Sequence, residues 1–201
     1  MAKPGANLWI LLAAMLAGGL GLFAGYVFEA RPGWLLNSET GQAVLQTAVN
    51  TGTRVPDDLL IAERGDPLPD IRLGNLTGGI EPVADAAGRP LLINFWASWC
   101  GPCIEEMPAL DAFARQQGDN GVQVVGIALD DLDAVKSFLA DTPVGYRILL
   151  DVASARDSSV QLGNRRGVLP YSVLVDANGI IQRIRLGPFA HGEVEDWAAE
   201  D

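Results

Sequence analysis

Cysteine and histidine, the side chains that hold structural zinc, are scarce in this sequence. Its 201 residues include two cysteines, Cys100 and Cys103, and one histidine, His191. A structural zinc site takes four such ligands in a regular spacing, and that spacing is absent. We therefore expect neither a metal centre nor a resident cofactor.

Basic residues are also few relative to acidic ones. The chain has 14 Lys and Arg against 25 Asp and Glu, and its formal net charge at pH 7 is -11. Proteins that hold a nucleic-acid backbone need clustered positive charge. We therefore expect no nucleic-acid partner.

Cysteines far apart in the sequence, which a stabilising disulfide would join, are missing as well. Cys100 and Cys103 are separated by a single Gly-Pro pair. A disulfide between them closes a small loop, so it constrains the unfolded chain little. The spacing therefore favours thiol–disulfide chemistry over a structural staple.

One long segment near the N-terminus carries no charge. Residues 8–28, LWILLAAMLAGGLGLFAGYVF, form a run of 21 residues, which is long enough to span a hydrocarbon core of about 30 Å. Lys3 and the terminal amine precede it, so the positive-inside rule favours a cytoplasmic N-terminus and an exported remainder. We interpret the run as a retained anchor. A cleaved signal peptide and a buried helix of the soluble fold are the alternatives.

Turn-forming residues divide the rest of the chain. Pro32-Gly33 ends the apolar run, and the turn-rich stretch Gly65–Asp70 opens a series of strand and helix patterns. The predicted organisation is a membrane anchor over 1–30, a linker over 31–64 and a compact domain over 65–201.

The compact domain is predicted to be an α/β fold. Helical patterns separate its apolar strands, and Asn178-Gly179 between two apolar runs predicts a closing hairpin. This order predicts a mixed sheet covered by helices on both faces. Strands are expected at about 71–73, 80–83, 91–96, 122–129, 146–150, 171–175 and 180–186, and helices at about 103–117, 130–140, 155–162 and 193–200.

The cysteine pair lies at the junction of a strand and a helix. Leu91–Trp96 is predicted to be a buried parallel strand, and a helical pattern starts at Cys103. A helix N-terminus has unpaired N–H groups and the positive end of the helix dipole, which stabilise a thiolate. The second thiol lies about one turn further on, where it can resolve a mixed disulfide. The context predicts a redox-active dithiol.

The segment Asn94–Cys103, NFWASWCGPC, resembles the active-site segment of the thioredoxin superfamily. Three other stretches, Gly65–Asp70, Glu106–Pro108 and Leu169-Pro170, are similar to the membrane-anchored, exported TlpA/ResA-like branch, as is the additional strand and helix in mid-domain. The resemblance implies a thioredoxin-like mixed sheet flanked by helices, with an N-terminal transmembrane helix.

The resemblance also implies roles for the residues around the cysteines. Cys100 is then the exposed attacking thiolate and Cys103 the buried resolving thiol, while Trp99 lies beside them and shapes access. Gly101 and Pro102 set the redox poise, and this pair is typical of reductants rather than strong oxidants.

The resemblance also implies that Pro170 forms part of the substrate-binding site. Pro170 is expected to be cis and to present the backbone of Leu169 to a bound substrate strand. An ordinary trans turn proline is the alternative. Tyr171 follows where the family often places threonine nearby, and it is a candidate for lining a different substrate groove.

The usual buried acid of thioredoxins is absent. Asn94 stands where many of them carry Asp, and an amide cannot titrate. Glu106 lies three residues after Cys103 on the same helical face, so a partly buried Glu106 is the candidate acceptor of the Cys103 proton. The alternative is a solvated carboxylate that only complements the helix dipole.

Together these inferences predict a single-pass inner-membrane protein whose domain faces the periplasm and reduces disulfides in exported proteins. The implied partners are those substrates and a membrane electron donor that re-reduces the dithiol. The predicted function includes support of cytochrome c maturation. Residues 166–171, however, lack the acidic motif that is usual near the active site of the variant dedicated to that process. Two alternatives stay open: a dithiol oxidase or isomerase of the same fold, and a non-catalytic protein that binds a metal or a partner through its thiols.

Overall fold

The computed structural model describes residues 56–84, 88–118, 121–190 and 192–199. The predicted anchor, the predicted linker up to residue 55 and His191 lie outside these ranges. Within them, no helix is both long enough and apolar enough to span a bilayer. The anchor and the domain boundaries stay predictions.

The described part of the chain contains seven strands and four helices. The strands are β1 (Arg72–Asn75), β2 (Ile80–Pro82), β3 (Leu91–Trp96), β4 (Gln123–Leu129), β5 (Arg147–Asp151), β6 (Tyr171–Val175) and β7 (Ile181–Leu186). The helices are α1 (Gly101–Gln116), α2 (Leu132–Asp141), α3 (Ser158–Gln161) and α4 (Glu193–Ala198).

The strands form one mixed sheet in the order β2-β1-β5-β4-β3-β6-β7. The central strands β3, β4 and β5 are parallel, and the remaining pairs are antiparallel. The mixed α/β sheet expected from the sequence is therefore confirmed. Because parallel strands end at the same edge, the loops after β3 and β4 meet at one end of the sheet.

Strand β3 separates two apolar cores. Ile93 and Phe95 lie in the core on one face, and Leu92 and Trp96 lie in the core on the other. This alternation follows from the two-residue period of a strand. Helices α1, α2 and α4 cover the face that holds Trp96, which we call the α1 face. Both faces of β3 are thus buried, as its apolar sequence predicts.

Gly126 in β4 leaves space on the α1 face. A Cβ atom there would lie 2.7 Å from Ile148 Cδ1, 3.0 Å from Tyr146 Cε2 and 3.1 Å from Trp96 Nε1. Three side chains from different parts of the chain therefore occupy the volume that a larger residue would fill.

The segment before β1 packs on the domain. Backbone N–H groups of Ala62, Gly65 and Leu68 donate to the carbonyls of Gln161, Ile181 and Gly179, each at 2.8 Å. Ala62 is 8% exposed and belongs to the core opposite the α1 face. The last residues of the predicted linker are therefore in contact with the folded domain.

Helix α3 is shorter than the sequence predicts. It begins at Ser158 because the carboxylate of Asp157 caps it and accepts the Val160 N–H at 3.0 Å. Asp151, the last residue of β5, accepts the backbone N–H and the hydroxyl of Ser158 at 2.7 and 2.6 Å. Asp151 and Asp157 thus each accept hydrogen bonds from groups in the first turn of α3.

Candidate active site

Cys100 and Cys103 form a disulfide at the N-terminus of α1, with their Cα atoms 5.3 Å apart. Cys100 is the residue immediately before the helix, and Cys103 lies in its first turn. Cys100 is 6% exposed and Cys103 is fully buried. Both cysteines are therefore largely buried, which corrects the expectation of an exposed Cys100, and Cys100 is the one of the pair that keeps some contact with solvent.

The start of α1 is built to stabilise a thiolate. Its first turn carries a proline and no acidic residue. Pro102 is tolerated there because the first N–H groups of a helix have no partner within the helix. With no carboxylate in that turn, the positive end of the dipole faces the sulfurs and favours their charged form.

The loop between β3 and α1 is tied to the end of β4. The carboxylate of Asp130 accepts the Ser98 N–H at 2.9 Å and the Ser98 hydroxyl at 2.6 Å. Burial opposes the charge of Asp130, but these hydrogen bonds outweigh it and lower the pKa of this carboxyl. Trp99, the next residue, is 70% exposed beside the disulfide. Asp130 thus anchors a loop whose apolar ring stays available to a partner.

The Leu169–Pro170 peptide bond is cis, as the resemblance implies. Pro170 is buried directly ahead of β6, whose first residue pairs with Phe95 near the end of β3. Leu169 is partly buried and packs against both cores. The cis bond therefore lies at the end of the sheet from which the cysteine loop leaves. The role of Leu169 in substrate binding stays a prediction.

Glu106 is buried, with 2% of its surface exposed. Its Oε1 accepts a hydrogen bond from Asn94 Nδ2 at 2.8 Å, and its Oε2 accepts the Phe189 N–H at 2.8 Å. It lies one helical turn after Cys103 on the α1 face. The solvated-carboxylate alternative for Glu106 is therefore wrong, whereas the neighbouring Glu105 is exposed.

Burial governs the proton affinity of Glu106. Removal from water raises the pKa of this carboxyl to about 7, while the Phe189 N–H, the Asn94 amide and the charge of Arg185 act in the opposite direction. Desolvation penalises the charged form of a buried acid. A carboxyl that titrates near neutral pH is suited to accept a thiol proton.

A row of polar residues crosses the sheet beside Glu106. Asn94 of β3 pairs with Ser172 of β6, and Ser172 pairs with Arg185 of β7. Asn94 Nδ2 also donates to Ser172 Oγ at 3.1 Å. These three residues are at most 1% exposed. Paired residues on neighbouring strands point to the same face, so the sheet supplies a polar floor for the buried glutamate.

Arg185 and Phe189 are functional candidates that the sequence reasoning missed. Strand β7 alternates Arg183, Ile184, Arg185 and Leu186, which is equally typical of an edge strand with its arginines in water. Whether a helix covers that face depends on the tertiary fold. The contact from Phe189 uses a backbone N–H, which no side-chain pattern reveals.

Tyr171 does not line a groove. Its side chain is fully buried in the core opposite the α1 face, its hydroxyl donates to the Leu162 carbonyl at 2.7 Å, and its ring lies 6.1 Å from that of Phe95. The suggestion that it shapes a different substrate groove is therefore wrong. Tyr171 points to the face of the sheet opposite the α1 face, whereas the disulfide lies on the α1 face.

The described residues also contain no group of three or more His, Cys, Asp or Glu side chains arranged to hold a metal ion. Cys100 and Cys103 are joined to each other instead. The arrangement observed is that of a dithiol–disulfide couple with a buried acid next to it.

Known proteins are similar to this chain over the region that forms the described domain. A family model described as Redoxin matches residues 63–200. The thiol-disulfide oxidoreductase ResA of Oceanobacillus iheyensis is 26% identical over 149 residues, covering 72% of this chain and 76% of that protein. The thioredoxin-like protein YneN of Bacillus subtilis is 30% identical over 138 residues, covering 66% of this chain and 77% of YneN.

A solved structure agrees in fold. A protein from Chlorobium tepidum, provisionally named thiol:disulfide interchange protein DsbE, superposes with a TM-score of 0.58 at 28% identity, over 66% of this chain and 93% of that chain. The expected thioredoxin-like fold and the similarity to ResA-like proteins are thereby confirmed. The chain belongs to the Redoxin family, as a thioredoxin-fold thiol–disulfide oxidoreductase with one Cys-x-x-Cys pair.

Proposed function

We propose that this protein is anchored in the inner membrane and reduces disulfides of exported proteins on the periplasmic side. The observation that carries the proposal is the Cys100–Cys103 disulfide at the N-terminus of α1, where Cys100 is 6% exposed, Cys103 is fully buried and the buried Glu106 follows one helical turn later. The charge-free run at 8–28 supports the anchor. The Gly101-Pro102 pair supports the reducing direction by its similarity to reductants of this fold.

The reaction follows from the positions of the sulfurs. In the reduced protein the Cys100 thiolate attacks a substrate disulfide, so that a Cys100–substrate bond forms and one substrate thiolate leaves. Cys103 then passes its proton to Glu106 and attacks the Cys100 sulfur. The bond to the substrate breaks, the second substrate thiolate leaves, and the Cys100–Cys103 disulfide forms. Two electrons have moved from the dithiol to the substrate.

The oxidised pair then needs an electron source. We assign this step to a membrane dithiol donor, which attacks the sulfur of Cys100, the less buried of the two cysteines, and becomes oxidised as Cys100 and Cys103 return to thiols. Trp99, exposed beside the disulfide, offers an apolar contact for either partner. Leu169 and Pro170 supply the backbone edge on which we place the substrate strand. Apocytochrome c is one candidate substrate, which places the protein in cytochrome c maturation.

Trapping the mixed disulfide tests this function. Cys103→Ala in the full-length protein removes the resolving thiol, so substrates are expected to accumulate on Cys100 in intact cells. Non-reducing electrophoresis and mass spectrometry then identify them. Cys100→Ala is the matched control and is expected to trap nothing.

If folded Cys103→Ala protein accumulates no adduct, the reductase mechanism is wrong. Adducts whose partner cysteines are reduced in wild-type cells support the proposal. Adducts whose partners are instead left reduced when this protein is deleted would assign the oxidase direction.

A further inference from the structure

Arg185 is an unusual residue for the interior of this domain. It is 1% exposed, and burying a guanidinium is costly unless charge and hydrogen bonds compensate it. Its two terminal nitrogens donate to the carboxylate oxygens of Glu193 at 3.0 and 2.9 Å, and one of them also donates to the Pro188 carbonyl at 2.9 Å. The compensation therefore comes from α4 and from the segment that follows β7.

That segment, residues 187–190, also holds Glu106. The Arg185 guanidinium lies over the Phe189 ring, with Cζ 4.5 Å from the ring centroid. The backbone N–H of Phe189 donates to Glu106 Oε2. On the other side, the Ala190 N–H donates to Glu193 Oε2 at 2.7 Å. The Arg185–Glu193 pair thus forms hydrogen bonds with Pro188 and Ala190, the residues on either side of Phe189. The N–H of Phe189 is the group that donates to Glu106.

Within the described ranges, few polar or titratable groups face Glu106. Its own helix presents Cys103, β3 and β6 present the neutral Asn94 and Ser172, and the segment before β5 presents Tyr146. Burial and the charge of Glu106 both raise the pKa of the Tyr146 phenol, so this group is neutral at neutral pH. Among the described residues, Arg185 is the cation whose charge lowers the pKa of Glu106, and Arg185 is itself paired with Glu193.

We propose that Arg185, held by Glu193, is a positioning residue that fixes the Phe189 N–H on Glu106 and so decides at which pH Glu106 takes the Cys103 proton. The proposal rests on the proposed function of Glu106 as the proton acceptor. It gives the end of β7 and the start of α4 a part in the redox site, although neither carries a cysteine.

Substitutions of Arg185 and of Glu193 are expected to shift the titration midpoint of Glu106 in opposite directions. Arg185→Met removes the cation and loosens the Phe189 N–H, so the charged form of Glu106 loses support and its titration midpoint rises by about one pH unit. Glu193→Gln keeps an oxygen that can accept from Arg185 and from the Ala190 N–H but removes the negative charge, so the charge of Arg185 is uncompensated and the midpoint falls. A site that merely opened to water would move Glu106 downward, toward the ordinary value of 4.5, in both variants.

The experiment follows the Glu106 carboxyl carbon by NMR in the full-length, oxidised protein labelled at glutamate side chains. The signal is assigned with Glu106→Gln, and its wild-type midpoint is expected at about 7. Arg183→Met is the matched control, since Arg183 is on the same strand but donates to the Trp197 carbonyl at 3.0 Å. It is expected to leave the midpoint unchanged.

A rise in Arg185→Met together with a fall in Glu193→Gln supports the proposal. An unchanged or lowered midpoint in folded Arg185→Met overturns it. If Arg185→Met does not fold, Arg185→Gln takes its place with the same criterion, and an unchanged or lowered midpoint again overturns the proposal. Glu193→Gln does not decide alone, because entry of water would also lower its midpoint. The titration needs no turnover, so it stands apart from the trapping of substrates by Cys103→Ala.

Discussion

Glu106 and Asn94 form a complementary pair at the centre of the site. The Asn94 amide donates to a charged Glu106 at 2.8 Å, which an aspartate in its place could not do while ionised. Two carboxylates at such a distance disfavour each other's charge and titrate as a coupled pair. With Asn94 in place of the usual buried Asp, Glu106 is the member of this pair that titrates, and its pKa is about 7.

Replacing Glu106 by Gln tests its part as a proton acceptor. The amide keeps the shape of the side chain but cannot take a proton, so resolution of a mixed disulfide by Cys103 is expected to slow by about 100-fold at pH 7. In the wild-type protein the rate is expected to rise with pH through about 7 as Glu106 ionises. Stopped-flow release of nitrothiobenzoate from its mixed disulfide with Cys100 measures both.

Glu105→Gln is the control, because Glu105 is the exposed neighbour on the same turn. It is expected to match the wild-type rate and pH profile. A Glu106→Gln protein that retains the inflection near neutral pH would assign the proton to another group.

At the scale of elements, sequence patterns located most strands and helices. The apolar run Leu91–Trp96 marked β3 to the residue, and the Asn178-Gly179 turn marked the hairpin of β6 and β7. These are local signals, in which side-chain period and turn chemistry are written in adjacent residues. The bounds of short polar elements such as α3 were predicted less accurately. Two carboxylates, Asp151 and Asp157, both accept hydrogen bonds from the first turn of α3, and the sequence alone does not show which of them caps the helix.

Gly126 gives a test of packing between elements. Gly126→Ala places a Cβ within 3.1 Å of Ile148, Tyr146 and Trp96 atoms, and overpacking of a filled core costs about 1–3 kcal/mol. Gly118→Ala is the matched control, since a Cβ there has open space and is expected to change stability by less than about 0.5 kcal/mol. Urea unfolding of both variants measures the difference; equal midpoints would show that the α1 face yields to the extra methyl group.

At the scale of the whole molecule, the buried Glu106 makes stability depend on pH. Its pKa is about 7 in the folded protein against 4.5 for the ordinary group, so the folded state binds the proton more tightly than the unfolded one. Stability from this group is therefore fully present below about pH 4.5 and is lost as pH rises through about 7. The full loss is about 3 kcal/mol.

This dependence is isolated by comparing wild-type protein with Glu106→Gln. The stability of the variant relative to wild type is expected to increase between pH 5 and pH 8 by up to about 3 kcal/mol, because the amide stays neutral throughout. Chemical unfolding of the oxidised proteins at several pH values measures it. A difference that is constant with pH would mean that Glu106 is equally ionised in both states.

The sheet order and the polar row exceed what the sequence alone predicts. No local pattern states that β5 lies between β1 and β4, or that Asn94, Ser172 and Arg185 align across three strands. These are products of register and of crossover connections between distant segments. The dithiol, by contrast, was predictable, since strand, loop and helix start are contiguous around Cys100.

The position of β5 also makes the sheet depend on contacts between distant segments of the chain. The hairpin of β1 and β2 is made first as the chain emerges, yet it joins the sheet through pairs such as Gly74 with Leu150, which arrive after α2. Until then the free side of β4 must stay unoccupied, since β1 docked there would exclude β5. Pairs of such high sequence separation are associated with slow folding, so the β1–β5 pairing is expected to make this domain fold more slowly than one built from local contacts.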